Sequence, residues 1–532
     1  MQTNELHSTK AALASFFDAQ QPQPSLCEIR RGIEREVVRT TPHGALSSQD
    51  HPAALGSALT HPFITTDFAE AQIELVTPAL HDRNATFSSL ATLHHFVADK
   101  LPANEFLWGA SMPPALPADE NIAIANYGSS NTGQLKRRYR EGLANRYGKR
   151  MQLISGIHYN FSLPTAFWQA LHRHTRSTKP LEAFISERYF HLIRNVMRHG
   201  WVVPYLFGAS PAVDQSYVKN KKHFLKQWDN ATYYLPWATS LRLSNMGYTS
   251  SEQSRFPVRF DSKEAYLSDL CHALTQPSEC YTHLNAEQQL NSSVLQLENE
   301  LYGSVRPKIV SDELRPLYAM CHHGVQYIEL RSLDNNPYLP LGIDETQSHF
   351  LDVFLTYCAL APSPVLTDEE RRIIVQRQEL VATEGRRPGL TLPTVNGNIA
   401  LTKLGKDLLD GMSIIADQFD LAMTTDIHQA SINREYAKFE DSTLTPSAQI
   451  LSDMAAGNLS FQALTQRQSL QHMRTHSQFS AEVAEIDKLH RLAAESLIKQ
   501  ADMETQLDIA FDDFVAQKNN LQCDCETQGA IA

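Results

Sequence analysis

The sequence predicts an α+β protein organised around a mostly antiparallel sheet. Short segments of alternating polarity recur over the first 335 residues, each closed by proline or a cluster of turn residues. The connections between them are unequal in length, which suits antiparallel pairing better than regular strand–helix–strand crossovers. From about residue 345 the pattern becomes helical, and it ends in a long charged run over 479–518.

Residues 5–20 predict an opening helix, and PSLCE at 24–28 leads into a first strand, GIEREVVRT at 32–40. A turn-rich stretch, TPHGALSSQDHP, separates it from FAEAQIELVTP at 68–78, a second strand bounded by Pro78. Helical spacing covers 81–101 and 134–147, and SGIHYNFSLP at 155–164 predicts a third strand. Residues 166–200 and 262–276 predict helices. LPWATSLRLS at 235–244, VLQLENELY at 294–302 and VQYIELRSLD at 325–334 predict extended chain. No internal repeat or heptad array interrupts this order. The whole is expected to be one catalytic unit over 1–532, with its sheet core at about 28–335 and a helical part at about 345–532.

Lys and Arg number 47 against 59 Asp and Glu, a formal charge of −12, and this acidic balance disfavours non-specific binding to nucleic acid or anionic membrane. The N-terminal segment lacks the basic and apolar regions of a signal peptide. FLDVFLTYCALA at 350–361 is too short to span a bilayer and contains Asp352, so a cytoplasmic protein is expected. Seven scattered cysteines suit a reducing compartment better than a disulfide framework. Cys523 and Cys525 form a CDC pair in a polar tail that reads as a frayed terminus, with a weak metal or redox role as the alternative.

Successive side chains of a strand point to opposite faces, so each predicted strand has a polar face that can be written down. Glu34 and Glu36 share one, opposite Ile33 and Val37. Glu70, Gln72 and Glu74 share another, as do His158 and Asn160; so do Tyr327, Glu329 and Arg331, and also Gln296, Glu298, Glu300 and Tyr302. A solvated sheet face normally carries Lys, Thr and Ser, whereas these faces carry carboxylates, amides, a histidine and an arginine. If they converge, the acids raise one another's pKa unless cations neutralise them, and hard carboxylate oxygens are ligands for Mg²⁺ or Mn²⁺. Metals held this way let an acidic protein bind a polyphosphate such as ATP, with Arg331 placed to grip a phosphoryl group. Competing signals are poor: GSSNTGQLK at 128–136 lacks the Lys-Ser/Thr of a phosphate loop, and GxGxxG, HExxH, GxSxG and CxxC do not occur.

Ten segments carry a resemblance: GIERE, GSALTHPFITTDFAEAQIELVTP, YGSSNTG, KRRYREGLANRYG, MQLISGIHYNFSLP, PYLFGASPA, YYLPWATSLRLSNMGYT, NSSVLQLENELYGSVRPK, YIELRSLDNNP and EGRRPGLTL. In this order, from about residue 28 to 392, the chain resembles the bacterial glutamate–cysteine ligase family, the γ-glutamylcysteine synthetases. Beyond about 395 the resemblance is much weaker. It implies a curved antiparallel sheet forming a funnel, as in glutamine synthetase, and ATP-dependent ligation of L-cysteine to the γ-carboxylate of L-glutamate through γ-glutamyl phosphate, the first step of glutathione synthesis. It further implies Glu34, Glu36, Asp67, Glu74, His158 and Glu329 as metal ligands around ATP and Arg331 as the arginine on the transferred phosphate. The cysteine site it implies comprises Phe68, Tyr139, Leu143, Gln152, Arg242, Tyr248 and Tyr302. Two alternatives stay open at this point: a related ligase using another amine, and a non-catalytic sensor of metal or nucleotide.

Overall fold

A computed structural model describes residues 3–18, 24–248, 253, 255–311, 314–506, 509–521 and 523. Its strands, in chain order, are β1 (Arg30–Thr40), β2 (Ile64–Thr66), β3 (Gln72–Val76), β4 (Phe106–Trp108), β5 (Gly156–Ser162), β6 (Ala212–Asp214), β7 (Lys226–Gln227), β8 (Thr232–Tyr234), β9 (Val305–Lys308), β10 (Tyr327–Asp334), β11 (Thr391–Thr394) and β12 (Gly397–Ala400). Seven of them build the central sheet in the order β2-β3-β1-β5-β10-β9, with β4 also paired to β1, and every ladder is antiparallel. β6, β8 and β7 form a small second sheet, and β11 and β12 a hairpin.

One face of the central sheet is apolar and lies on a core of helices. Ile33, Val37, Ile73, Leu75, Ile157, Tyr159, Phe161, Ile328, Leu330 and Leu333 point into it. They meet Leu90 and Phe96 of the helix Arg83–Lys100, Phe190 and Ile193 of Leu181–His199, and Phe350 and Phe354 of Glu345–Leu360. These helices start where the sequence supplies a cap: the Asp82 carboxylate accepts from the Ala85 N–H, and that of Asp344 from the Gln347 N–H. Glu345–Leu360 is buried on nearly every side, which explains its continuous apolar run. Its one interior acid is spoken for. Asp352 lies 2.8 Å from Arg31 of β1 and 2.5 Å from Arg83, and it accepts a 2.9 Å hydrogen bond from the Tyr159 hydroxyl.

The structure corrects several sequence expectations. Residues 294–302 alternate like a strand but fold as irregular chain with a 3₁₀ turn at Glu298–Glu300, because Glu300 turns back to accept from the Gln296 N–H at 2.7 Å. Residues 235–244 end in another 3₁₀ turn, Leu241–Leu243, and contribute only a bridge between Ser210 and Ser240. The strand expected at 68–78 begins only at Gln72. Glu70 therefore leaves the polar face, and its carboxylate accepts from the backbone N–H groups of His51 and Asn126. The helix expected over 166–200 is two, Thr165–His174 and Leu181–His199, divided around Arg176, whose φ of 51° is left-handed, and Pro180. Within the helical C-terminal part, Val395–Asn396 turns the β11–β12 hairpin.

The cysteine expectation also needs correction. Cys271 and Cys523, 252 residues apart, form a disulfide with a Cα–Cα distance of 5.7 Å, so this end of the tail is tethered. Cys525 lies outside the described residues. No helix among the described residues is long and apolar enough to cross a membrane.

Among the described residues Asp352 is the one acid paired with buried Arg31 and Arg83, and its removal leaves their charges uncompensated. Asp352→Asn is expected to cost about 3–5 kcal/mol of stability. A loss of unfolding free energy below about 1 kcal/mol in denaturant titration would show that water or other groups take over the role.

Candidate active site

The opposite face of the sheet collects the acids, and strand register decides which of them meet. β1 is central, between β3 and β5. Glu36 stands opposite Glu74, and Glu34 stands opposite His158. On β10, Glu329 stands opposite Asn160 of β5. A β-bulge follows between Leu330 and Leu333, where three steps on β10 match two on β5. Such a bulge bends the strand and redirects side chains. Here it leaves Arg331 reaching back over the site.

His158 lies at the centre. Its Nδ1 is 3.1 Å from Glu34 and 3.7 Å from Glu329, and its Nε2 is 3.5 Å from Glu36. Oxygens of Glu34 and Glu74 and a ring nitrogen of His158 all lie within 4.8 Å of one another, close enough to hold one ion. Arg331 Nη1 is 3.2 Å from Glu329 and 3.3 Å from His158 Nδ1. The Asn160 amide donates to Glu34 at 2.7 Å, and the Gly156 N–H to Glu36 at 2.7 Å.

The charges divide the site into two ends. Burial works against the Glu329 carboxylate, yet the Arg331 guanidinium and Lys308, 3.5 Å away, hold its pKa well below the usual range. At the other end, burial and the Glu36 charge push Asp67 up to about 7. Burial with the charges of Glu34 and Asp67 raises Glu74 well above an ordinary glutamate. Like charges crowded into a dry site produce this pattern when no cation balances them. The donor set, five carboxylates with one imidazole, fits a hard divalent cation. The Glu329 oxygen facing Arg331, Oε2, is buried and accepts no hydrogen bond, which leaves it available as a ligand.

A second cluster adjoins the acids. Tyr139 and Leu143 project from the helix Asn131–Tyr147, which starts at the Ser130 cap and stops at Gly148, whose φ of 85° suits glycine. Together with Phe68, Tyr248 and Tyr302 they share one packed cluster. The Gln152 amide donates to the Tyr302 hydroxyl at 3.1 Å, and the Tyr248 and Tyr302 rings lie 5.7 Å apart. Arg242 is buried beneath them. It donates to the Arg331 carbonyl at 2.8 Å and has Nη1 3.5 Å from Asp334, while its Nε and Nη1 make no hydrogen bond. Gly156 makes room for it, since a Cβ there would stand 2.1 Å from Arg242 Nη2.

All the site residues expected from sequence are thus drawn into two adjoining clusters. Sequence reasoning missed several neighbours. Lys308 and Arg306 lie on β9, an edge strand, where Pro307 is tolerated. Arg306 donates to the Asn299 and Leu301 carbonyls and so holds the segment that bears Tyr302. Arg140 donates to the backbone carbonyl of Asp67. Its position one residue after Tyr139 was the available signal.

Comparison with known proteins agrees with this geometry. The family model for glutamate–cysteine ligase matches residues 14–381. The glutamate–cysteine ligase of Azotobacter vinelandii is 44% identical over 494 residues, covering 91% of this chain and 93% of its own. That of Saccharophagus degradans is 41% identical, covering 95% and 96%. Matches of this extent reach well past residue 395, where the sequence resemblance had faded. Among solved structures, the Francisella tularensis glutamate–cysteine ligase in complex with AMP superimposes with a TM-score of 0.86 at 31% identity, covering 92% of this chain and 97% of that one. A bifunctional glutathione synthetase from Pasteurella multocida gives 0.66 at 25% identity, covering 88% of this chain and 53% of that one. A chain matched so fully in sequence and in fold belongs to the glutamate–cysteine ligase family.

Proposed function

We propose that Glu34, Glu36, Asp67, Glu74, His158 and Glu329 hold divalent cations, Mg²⁺ or Mn²⁺, that seat the phosphates of ATP, and that Arg331 binds the phosphoryl group in transfer. The observation carrying this reading is the convergence of acids from β1, β3, β10 and the turn before β3 around His158, with two of them unable to ionise normally as they stand. The activity itself is that of the family: ATP-dependent joining of L-cysteine to the γ-carboxylate of L-glutamate, giving γ-glutamylcysteine, ADP and phosphate. Imidazole suits Mn²⁺ better than Mg²⁺, so His158 acts in this reading as a weaker ligand or as a neighbour of the nucleotide.

A free carboxylate resists attack by an amine because its charge is delocalised and its leaving group is oxide. Activation comes first, by transfer of the terminal phosphate of ATP to the γ-carboxylate of glutamate. Bound cations supply charge neutralisation of the phosphate oxygens. Arg331, held planar between Glu329 and His158, balances the charge of the phosphoryl group as it moves. The pocket of Phe68, Tyr139, Leu143, Gln152, Tyr248 and Tyr302 orients cysteine so that its nitrogen faces the acyl carbon of γ-glutamyl phosphate. The free N–H groups of Arg242 suit a substrate carboxylate. The same pocket excludes water, which would hydrolyse the acyl phosphate. The shared apolar core running from Leu13 to Ala493 supports one catalytic unit, and the use of ATP supports a cytoplasmic setting.

Mixing the protein with ATP, Mg²⁺ and glutamate, with and without cysteine, tests the reading through the mass of the product. Glu329→Gln is expected to lower ligation by ~10²-fold or more with the fold intact, and wild-type turnover would refute its place among the ligands. Arg331→Lys keeps the charge but loses the planar fork, so kcat is expected to fall on the order of 10³-fold with little change in KM for cysteine. A proportional rise in KM would mean that Arg331 serves the pocket instead.

Between the ordinary aspartate pKa near 3.8 and about 7, the folded metal-free protein keeps a proton on Asp67 that the unfolded chain has lost. Stability of the metal-free protein therefore falls as pH rises through this window. Mn²⁺ relieves the repulsion, so it is expected to raise Tm more at pH 8 than at pH 5.5. Equal shifts at both values would show that protons and metal do not compete.

A further inference from the structure

The bulge on β10 sets Arg331 and Ser332 against His158 alone, so Arg331 has no paired residue in the β5 ladder. Its backbone groups find partners elsewhere. The Arg331 N–H donates to the Ser304 carbonyl at 2.8 Å, and the Arg331 carbonyl accepts from Arg242 Nη2 at 2.8 Å. With the peptide planes on both sides of its Cα fixed, the direction in which the side chain leaves the strand is fixed too.

Arg242 comes from a separate segment, the 3₁₀ turn Leu241–Leu243, and Asp334, the last residue of β10, holds it in place. Asp334 Oδ1 lies 3.5 Å from Arg242 Nη1 and accepts from the Ser240 hydroxyl at 3.1 Å, while Oδ2 accepts from the Ala209 N–H at 2.9 Å. Both side chains are buried, and Asp334 is the one acid within ion-pair distance of Arg242 among the described residues. The turn is closed from behind as well. The Thr239 and Ser240 N–H groups both donate to the Ala382 carbonyl, and the Tyr248 N–H donates to the Arg242 carbonyl at 3.3 Å. One guanidinium thus spans the bulge, from the Arg331 carbonyl to the Asp334 carboxylate.

We propose that Asp334 is a positioning residue for phosphoryl transfer: by anchoring Arg242 across the bulge it sets the aim of Arg331. A buried ion pair beneath the amine pocket then governs a step in which the amine takes no part. The role of Arg331 in that step rests on the site reading above. The Nε and Nη1 groups of Arg242 make no hydrogen bond, so a substrate carboxylate bound there would tie occupancy of the amine pocket to the same anchor.

The test isolates the first half-reaction. Full-length protein is mixed with ATP, Mg²⁺ and glutamate without any amine, and quenched flow records the ADP formed in the first turnover. Its amplitude counts folded sites and its rate reports the chemical step. Asp334→Asn keeps an acceptor for the Ala209 N–H and turns an amide toward the Ser240 hydroxyl, which can reverse and accept, so the charge is the main loss. The rate is expected to fall about 10-fold. In an Arg331→Lys background the same substitution is expected to slow the step by less than about twofold further, because its effect runs through the Arg331 side chain. Losses that multiply in full would overturn the proposal. A lower amplitude with an unchanged rate would also overturn it, since Asp334 would then serve folding alone. Arg242→Lys provides a second variant that keeps a cation beside Asp334, but its single head group cannot span to the Arg331 carbonyl. It is expected to slow the amine-free turnover several-fold. A raised KM for cysteine with an unchanged amine-free rate would confine Arg242 to substrate binding and overturn the proposal. An Arg331→Lys rate equal to wild type would overturn the site reading and the proposal with it, whereas a slow Arg331→Lys beside a fast Asp334→Asn overturns the proposal alone.

Discussion

Register on a single strand governs this structure. β1 carries acids forward and arginines backward, in the run RRGIEREVVR, so one strand contributes both to the charged site and to its support. A slip of one residue in its pairing with β3 or β5 would bury Glu34 and Glu36 in the apolar core and turn Ile33 and Val37 into the site. The core on the back face excludes that outcome more strongly than any contact within the site can, because it opposes the burial of several unpaired charges at once. The acids stay crowded because the hydrophobic face of the same sheet has no other arrangement.

Behind the acids three of the four arginines of β1 are buried, with different partners. Arg31 meets Asp352, and Arg39 meets Glu105 at 2.8 Å. Arg35, between Glu34 and Glu36 in sequence, instead donates to Asn335 at 3.0 Å and to the Pro340 carbonyl at 2.6 Å, and it faces His94. Burial lowers its pKa to about 9, and it makes no ion pair among the described residues. Asn335 links the two sides, for its amide also donates to the Glu36 carbonyl oxygen at 3.0 Å. The backbone that presents Glu36 is thereby fixed from the rear, away from anything a substrate displaces.

Much of this was legible because a strand's two-residue period is a geometric fact, and the faces written from sequence for β1, β3, β5 and β10 are the ones observed. The misses have physical causes. Alternation in 294–302 was mimicry: Gln296 and Glu300 bond to each other and to the helix Asn131–Tyr147, where Arg146 lies 3.0 Å from Glu300, so the local pattern served a tertiary ion pair. Glu70 failed because the strand starts two residues later, and Asp67 escaped periodicity because it precedes that strand. Neither the pairing of Cys271 with Cys523 nor the bulge that aims Arg331 leaves a local trace, since both depend on where distant chain comes to rest.

The C-terminal part shows the same dependence on distant chain. The family model ends at 381, yet the relatives match far beyond that point, and the described residues explain why these later helices belong to the working structure. Ser496 packs against Gly56 and accepts from the Ser57 N–H at 2.9 Å, in the segment that leads to Asp67. Glu504 and Phe511 then back the segment that leads to Tyr139. One continuous stretch of chain therefore braces both the protonated end of the acid cluster and the aromatic wall beside it. Ser57 and Ser129 lie outside helix and strand, so the chain at these two points relies on a partner to hold its shape. The sheet sets where the charges meet, and the C-terminal helices set how firmly the loops around them stay closed.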